Sequence, residues 1–305
     1  MSRPIAALAL LAAVFSAIDV HAALALLAGA EALWLVAGWL LVQGQIIGSA
    51  WRWRMTARTL GQPLDASRAV SEYYLATLVN QTVPGGITGD AARAWRNRGT
   101  TASVVLERLA GQVALAAVTL VGILVWPLAS GAPLPAAARW LSWMAGALAA
   151  VALAVLAWRR VHRARMACGA NVAPGPVPLR GRLARAAGVP LEHVRRAWFV
   201  DGAWWRQSAI SLAIVLAYLA LFAVAGRAIG APLPAPAVLV IVPLTLLGML
   251  LPVSIGGWGV REAAAAALWP LAGLSSESGV ATSILYGLLS LAGSLPALWW
   301  LRRRA

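Results

Sequence analysis

A chain of 305 residues that is 61% hydrophobic and 11% charged lies far from soluble globular composition, in which about 25% of residues are charged. The formal net charge of +15 matches that of many nucleic-acid binders, but the basic residues fall in bunches between long apolar stretches, as in an integral membrane protein obeying the positive-inside rule. All 25 basic residues are Arg and Cys168 stands alone, so there is no disulfide framework and no thiolate metal cluster.

In chain order, Pro4 to Ile18 is apolar and breaks at Asp19. It reads either as a short first helix or, with Val20-His21-Ala22 as a small-residue cleavage site, as a signal peptide. Glu31 to Trp51 is long enough to span a bilayer, which takes about 20 residues of helix. It runs into Arg52, Arg54 and Arg58, which places that end in the cytoplasm. Val104 to Trp126 and Trp140 to Trp158 are further spans, joined by a Pro-, Gly- and Ala-rich loop carrying Arg139. The basic stretch over 159–204, with a Pro-rich centre from Pro174 to Pro178, is the main cytoplasmic loop. It reads as a solvated topology determinant or as a lipid-head-group patch. Ser208 to Ala225 and Ala281 to Leu301 complete the spans, the last ending at Arg302.

Two apolar runs do not fit as spans. Val70 to Gly89 lies between arginines on both sides and is broken at Pro84-Gly85-Gly86-Ile87-Thr88-Gly89. Pro236 to Pro270 lies between two segments that should both be outside, and is broken at Pro252-Val253-Ser254-Ile255-Gly256-Gly257-Trp258-Gly259. A chain that enters a bilayer, breaks and leaves by the same side is a re-entrant hairpin, tolerated where protein or a wet cavity satisfies the freed backbone. The expected fold is therefore an all-α polytopic membrane protein of one domain, with about six full transmembrane helices and two re-entrant helical hairpins in an inverted-topology repeat. The first repeat covers 1–126 and the second 139–305. Paired broken segments of this kind point to a transport site.

The chemistry sits at the breaks. Asp90 is a good N-cap for a helix after Gly89. Arg93 can meet Asp90 or Arg96 on one helix face. A Gly-rich turn feeding a helix start suits a phosphate, and Arg93 and Arg96 add forked donors. The second break repeats this pattern as Gly259-Val260-Arg261-Glu262. The glycines serve packing or function equally well. Ionised groups near bilayer depth cost at least about 2.5 kcal/mol, which marks Arg93, Arg261 and Glu262 as functional candidates. Glu107 and Arg108 point about 100° apart on a helix, so each should find a different partner. Glu72, Asn80 and Gln81 could line a cavity or bond freed backbone. Gly44 and Gly48 form a GxxxG packing motif. Trp51, Trp53, Trp158, Trp299 and Trp300 read as interfacial anchors. Neither glycine run is a P-loop or a dinucleotide fingerprint, and no His-Glu-x-x-His or Gly-x-Ser-x-Gly occurs. No cofactor and no metal is expected.

The stretch Asn80-Gln81-Thr82-Val83-Pro84-Gly85-Gly86-Ile87-Thr88-Gly89-Asp90-Ala91-Ala92-Arg93 resembles the signature of the lysylphosphatidylglycerol synthase/flippase membrane-domain family. Glu107-Arg108-Leu109-Ala110-Gly111 is similar to the helix that follows it. Pro252 to Glu262 is similar to the second signature, and Thr88 stands where many members carry Gly. The resemblance implies a flippase-like fold, and the composition and arginine placement put it in the bacterial inner membrane with both termini cytoplasmic. Its substrate would be a lipid with a polar or charged head group, either a phospholipid or a lipid-linked glycan. In that reading Asn80, Pro84, Gly85, Gly86, Gly89, Asp90, Arg93, Arg96, Glu107, Arg108, Pro252, Ser254, Gly256, Gly257, Trp258, Gly259, Arg261 and Glu262 form the head-group site. No soluble aminoacyl transferase domain is expected, and no enzyme activity. Partners implied are membrane lipids, a second copy of the chain and membrane biosynthetic enzymes, with no nucleic acid. Two rival classes are a membrane-embedded transferase acting on a lipid-linked sugar, with Asp90 or Glu107 as base, and a non-catalytic subunit of an envelope-biosynthesis complex.

Overall fold

A computed structural model describes residues 14–83, 88–97, 101–130, 203–249 and 256–302. The span expected at 140–158, most of the basic loop, Pro84, Gly85, Gly86, Pro252 and Ser254 lie outside the described residues. The described chain is helical: α1 (Val20–Ala28), α2 (Ala32–Thr59), α3 (Ala66–Thr82), α4 (Thr88–Arg96), α5 (Thr101–Ser130), α6 (Ala203–Ala228), α7 (Ala235–Gly248), α8 (Val260–Leu268), a 3-10 turn (Trp269–Ala272), α9 (Ser276–Ser294) and α10 (Ala297–Arg302). Among the described residues four helices are long and apolar enough to cross a membrane: Ala32–Thr59, Thr101–Trp126, Trp204–Ala228 and Ser276–Arg302.

Local chemistry sets the helix ends. Asp19 caps α1 by accepting from Ala22 N–H at 3.1 Å, so the residues read as a cleavage site form the first turn of a helix. Asp65 caps α3 through Ser67 N–H at 2.9 Å and Arg68 N–H at 3.3 Å. These amides hold its carboxyl below the usual range. α2 stops where Gly61 adopts φ 71°, with Gln62 N–H bonded to Ala57 O and Gly61 N–H to Arg58 O. α6 stops in the same way at Gly230, through Ala231 N–H to Gly226 O. This is the left-handed C-terminal motif in which glycine avoids the Cβ penalty.

The elements fall into two units of like order: α2, the α3–α4 pair and α5, then α6, the α7–α8 pair and α9. Within the units α3 packs on α4 and α7 on α8; between them α2 packs on α6, α5 on α7 and α3 on α9. The outer surface is apolar, with Leu33 at 74% and Leu124 at 65% exposure. The interior carries Gln45, Ser49, Arg52, Glu72, Glu107, Arg261 and Glu262, all buried. Burying the polar groups and exposing the leucines is stable where the solvent is hydrocarbon. An aromatic core sits beside this polar seam, with Phe222 stacked on Tyr286 at 4.2 Å and tilted against Trp269 at 6.1 Å.

Three expectations are corrected. The second span is longer than Glu31–Trp51, because α2 runs on to Thr59 and carries Arg52 into the interior at 4% exposure. Arg52 is therefore no solvated topology marker. Trp53 is fully buried rather than interfacial, since its indole N–H donates to Ser103 Oγ at 3.0 Å. Trp51 and Trp299 are exposed as expected, whereas Trp300 packs on Tyr74 at 5.2 Å. Of the GxxxG pair, Gly48 faces Ile214 on α6, while a side chain at Gly44 would meet nothing within 4 Å.

Candidate functional site

The first helix pair is closed by contacts that only small residues permit. A Cβ at Gly89 would run into the carbonyl oxygen of Ala76 on α3, so glycine lets the backbones of α3 and α4 touch. Asp90 is not the N-cap of α4. The helix begins at Thr88, which puts Asp90 in its first turn, and Asn80 does capping work from across the pair. Asn80 Oδ1 accepts from Gly89 N–H at 2.8 Å and its amide donates to Asp90 Oδ2 at 2.9 Å.

Asp90 and Arg93 meet on one face of α4, at 2.8 Å. Arg93 is fully buried, reaches Glu107 Oε2 at 3.2 Å, and lies between the rings of Trp53 and Tyr73, at 4.5 and 4.3 Å. Aromatic faces stabilise a guanidinium that has left water. Glu107, also fully buried, accepts in addition from Arg52 Nε at 3.1 Å, from Arg52 Nη2, and from Tyr73 OH at 3.0 Å. Arg52 Nη1 donates to Ser211 Oγ at 3.0 Å, which ties α2 to α6. Arg108 joins the cluster through Asp90 and not through Glu107, so the two neighbours Glu107 and Arg108 do take different partners. Arg96 pairs with the buried Glu72 at 2.8 Å.

The second pair has a parallel arrangement. Gly256, Gly257 and Gly259 sit at φ 57°, 86° and 87°, a region that other residues enter only at a cost. Glu262 Oε2 accepts from Gly259 N–H at 2.6 Å and so closes the start of α8. Its other oxygen accepts from Arg261 Nη2 at 2.7 Å and from Ser283 Oγ at 2.9 Å. Arg261 is fully buried and lies over the rings of Trp258 at 4.9 Å and Tyr286 at 5.1 Å. Each pair thus holds one arginine between two aromatic rings and against a buried carboxylate. At both helix starts a backbone N–H, of Gly89 and of Gly259, is engaged by the protein's own side-chain oxygen.

The second break touches the end of α3: a Cβ at Gly256 would lie 2.9 Å from Gln81 Cα. At this joint is a cavity of about 290 Å³ whose walls combine polar residues (Gln45, Ser49 and Arg52 of α2, Asn80 and Gln81 of α3, Asp90 of α4, Arg108 and Gln112 of α5, Tyr218 of α6) and Gly256 with apolar ones such as Val42, Ile46, Leu115 and Ile214. Ligand sites run from about 300 to 1,000 Å³, so this one holds a head group and not a whole lipid. Of the residues expected from sequence, Asn80, Asp90, Glu107, Arg108, Gly256 and Gly257 line the cavity. Arg93, Arg261 and Glu262 stand behind its wall, and Arg96 with Glu72 borders a separate open pocket beside Asp65 and Trp300. Gly89, Trp258 and Gly259 shape the helix pairs. Arg52, Gln45, Gln112 and Tyr218 were not expected. No group of His, Cys, Asp and Glu able to hold a metal occurs among the described residues.

A bundle of apolar spans around an ion-paired, amide-lined cavity defines a polytopic helical membrane protein with an internal polar site. The chain belongs to the family described as lysylphosphatidylglycerol synthase TM region, which it matches over residues 3–297. None of the curated proteins compared with it matches.

Proposed function

We propose that this protein moves lipids with polar or charged head groups, phospholipids or lipid-linked glycans, between the leaflets of the bacterial inner membrane. The carrying observation is a cavity of head-group size between the apolar spans, lined by ion-paired and amide side chains together with apolar ones, at the point where Gly256 meets Gln81. Ionised groups in such a place are costly and mark substrate paths. The family match gives independent support for a role in lipid biosynthesis or flipping. The α3–α4 and α7–α8 pairs act as re-entrant hairpins of an inverted repeat. One unit rocks against the other and exposes the cavity alternately to each side, with both termini cytoplasmic.

The test is translocation of head-group-labelled lipids in proteoliposomes, read with a membrane-impermeant quencher, across anionic, aminoacylated and polyprenyl-linked lipids. Selective movement is expected, and it should be lost in Arg93→Ala and Arg261→Ala proteins that still fold. No movement of any lipid by folded wild-type protein would overturn the proposal. The rival transferase needs a free base, and Asp90 and Glu107 are both already tied to arginines. Product formation from a nucleotide sugar by the purified protein would favour it.

A further inference from the structure

Among the described residues the ionised groups around the cavity do not balance: Arg52, Arg93 and Arg108 face Asp90 and Glu107, leaving one positive charge over, while Arg96–Glu72 and Arg261–Glu262 are each neutral pairs. The surplus can be located. Arg93 is sealed off between two carboxylates and two rings. Arg52 is committed to Glu107 and Ser211. Arg108 has a side chain 35% exposed, and Asp90 is its sole ion-pair partner among the described residues, through one terminal nitrogen. Gln112 lies one turn further along α5, on the same face and in the same cavity wall. Across the cavity Gln81 Oε1 is buried with no donor.

We infer that the cavity takes a monoanionic phosphodiester head group, with its phosphate on the Arg108 guanidinium and the Gln112 amide. A guanidinium presents a planar fork that matches two phosphate oxygens, and one negative charge neutralises the network. Gln81 then accepts from a hydroxyl of the head group beyond the phosphate. Arg93 and Arg261 hold the walls of this site and do not touch the ligand. That the phosphate belongs to a lipid rests on the function proposed above.

The test is binding to the purified full chain in detergent, followed by native mass spectrometry. The probes are dioleoylphosphatidylglycerol, dioleoylphosphatidylcholine, dioleoylglycerol and inorganic phosphate. Phosphatidylglycerol is expected to bind best, and Arg108→Gln to weaken it by about tenfold, or some 1.4 kcal/mol. Gln112→Ala should weaken it several-fold, and Arg108→Lys, which keeps charge without the fork, should recover part of the loss. Arg227→Gln, whose guanidinium lies over Trp34, should bind as wild type does. Melting temperatures of the variants separate loss of the site from loss of the fold. Wild-type affinity in folded Arg108→Gln, or equal binding of phosphatidylcholine or dioleoylglycerol, would overturn the assignment. Inorganic phosphate binding as tightly as phosphatidylglycerol would overturn the lipid source and assign a soluble anion. Arg108-dependent binding without any translocation by wild type would leave the phosphate site standing and remove the flippase.

Discussion

Replacing Glu107 by Gln keeps its shape and removes its charge, and so tests whether the polar seam holds the bundle together. The Glu107 carboxylate accepts from Arg52 Nε, Arg52 Nη2, Tyr73 OH and Arg93 Nη2. A glutamine offers one oxygen to these donors and turns an NH2 group toward the rest. Among the described residues, three arginines would then face Asp90 alone. Removing one partner of a buried pair costs roughly 3–5 kcal/mol because the charge left behind is uncompensated. With each kcal/mol worth about 2 °C or less in a chain of 305 residues, the melting temperature should fall by roughly 5–10 °C. Arg108→Gln is the control, since an ion pair with one partner a third exposed is worth at most about 1 kcal/mol. Thermal unfolding in detergent, followed by tryptophan fluorescence, ranks the two. If Glu107→Gln melts within about 2 °C of Arg108→Gln, the seam does not carry the stability assigned to it.

Other substitutions separate packing from polar bonding. Gly89→Ala should destabilise by roughly 1–3 kcal/mol through collision with the Ala76 carbonyl, whereas Gly44→Ala should be neutral or stabilise by up to about 1 kcal/mol; melting temperatures compare them. Trp53→Phe should cost about 1–2 kcal/mol, losing the bond to Ser103 and part of the contact with Arg93, while the exposed Trp51→Phe should cost almost nothing on the same scale. Asn80→Ala leaves Gly89 N–H and Asp90 short of a partner, so backbone amides at the start of α4 should exchange hydrogen faster, with a loss of about 1 kcal/mol.

The four described spans, the glycine positions at 89, 256, 257 and 259 and the divergence of Glu107 from Arg108 were legible in the sequence, because each follows from local geometry. The interior of α2 was not. Arg52 and Trp53 stand at the end of an apolar run, where a charge snorkelling to water and an aromatic belt account for them equally well. One signal was available: Gln45, Ser49, Arg52 and Thr56 recur at spacings of three and four along one helix face, and all four are buried. A polar stripe of that length on a membrane helix faces protein or a cavity, not lipid. The aromatic enclosure of Arg93 could not be read, because Trp53, Tyr73 and Glu107 come from three different helices and meet only through packing. Asn80 was legible in part: expected to line a cavity or bond freed backbone, it does both, through the cavity wall and the bond from Gly89 N–H.

The way α4 is neutralised also bears on how the chain enters the membrane. Asp90, Arg93 and Arg96 fall within nine residues, a segment that a bilayer rejects on its own. Arg93 leans on Trp53 and Tyr73, made before it, and on Glu107, made after it. The ribosome must therefore have delivered α5 before α4 can settle, and until then the segment waits at the water-facing side of the insertion machinery. Chains truncated after residue 100 should leave the α4 region open to protease, and chains extended through α5 should protect it. Protection in both would mean that α4 buries its charges without its later partner.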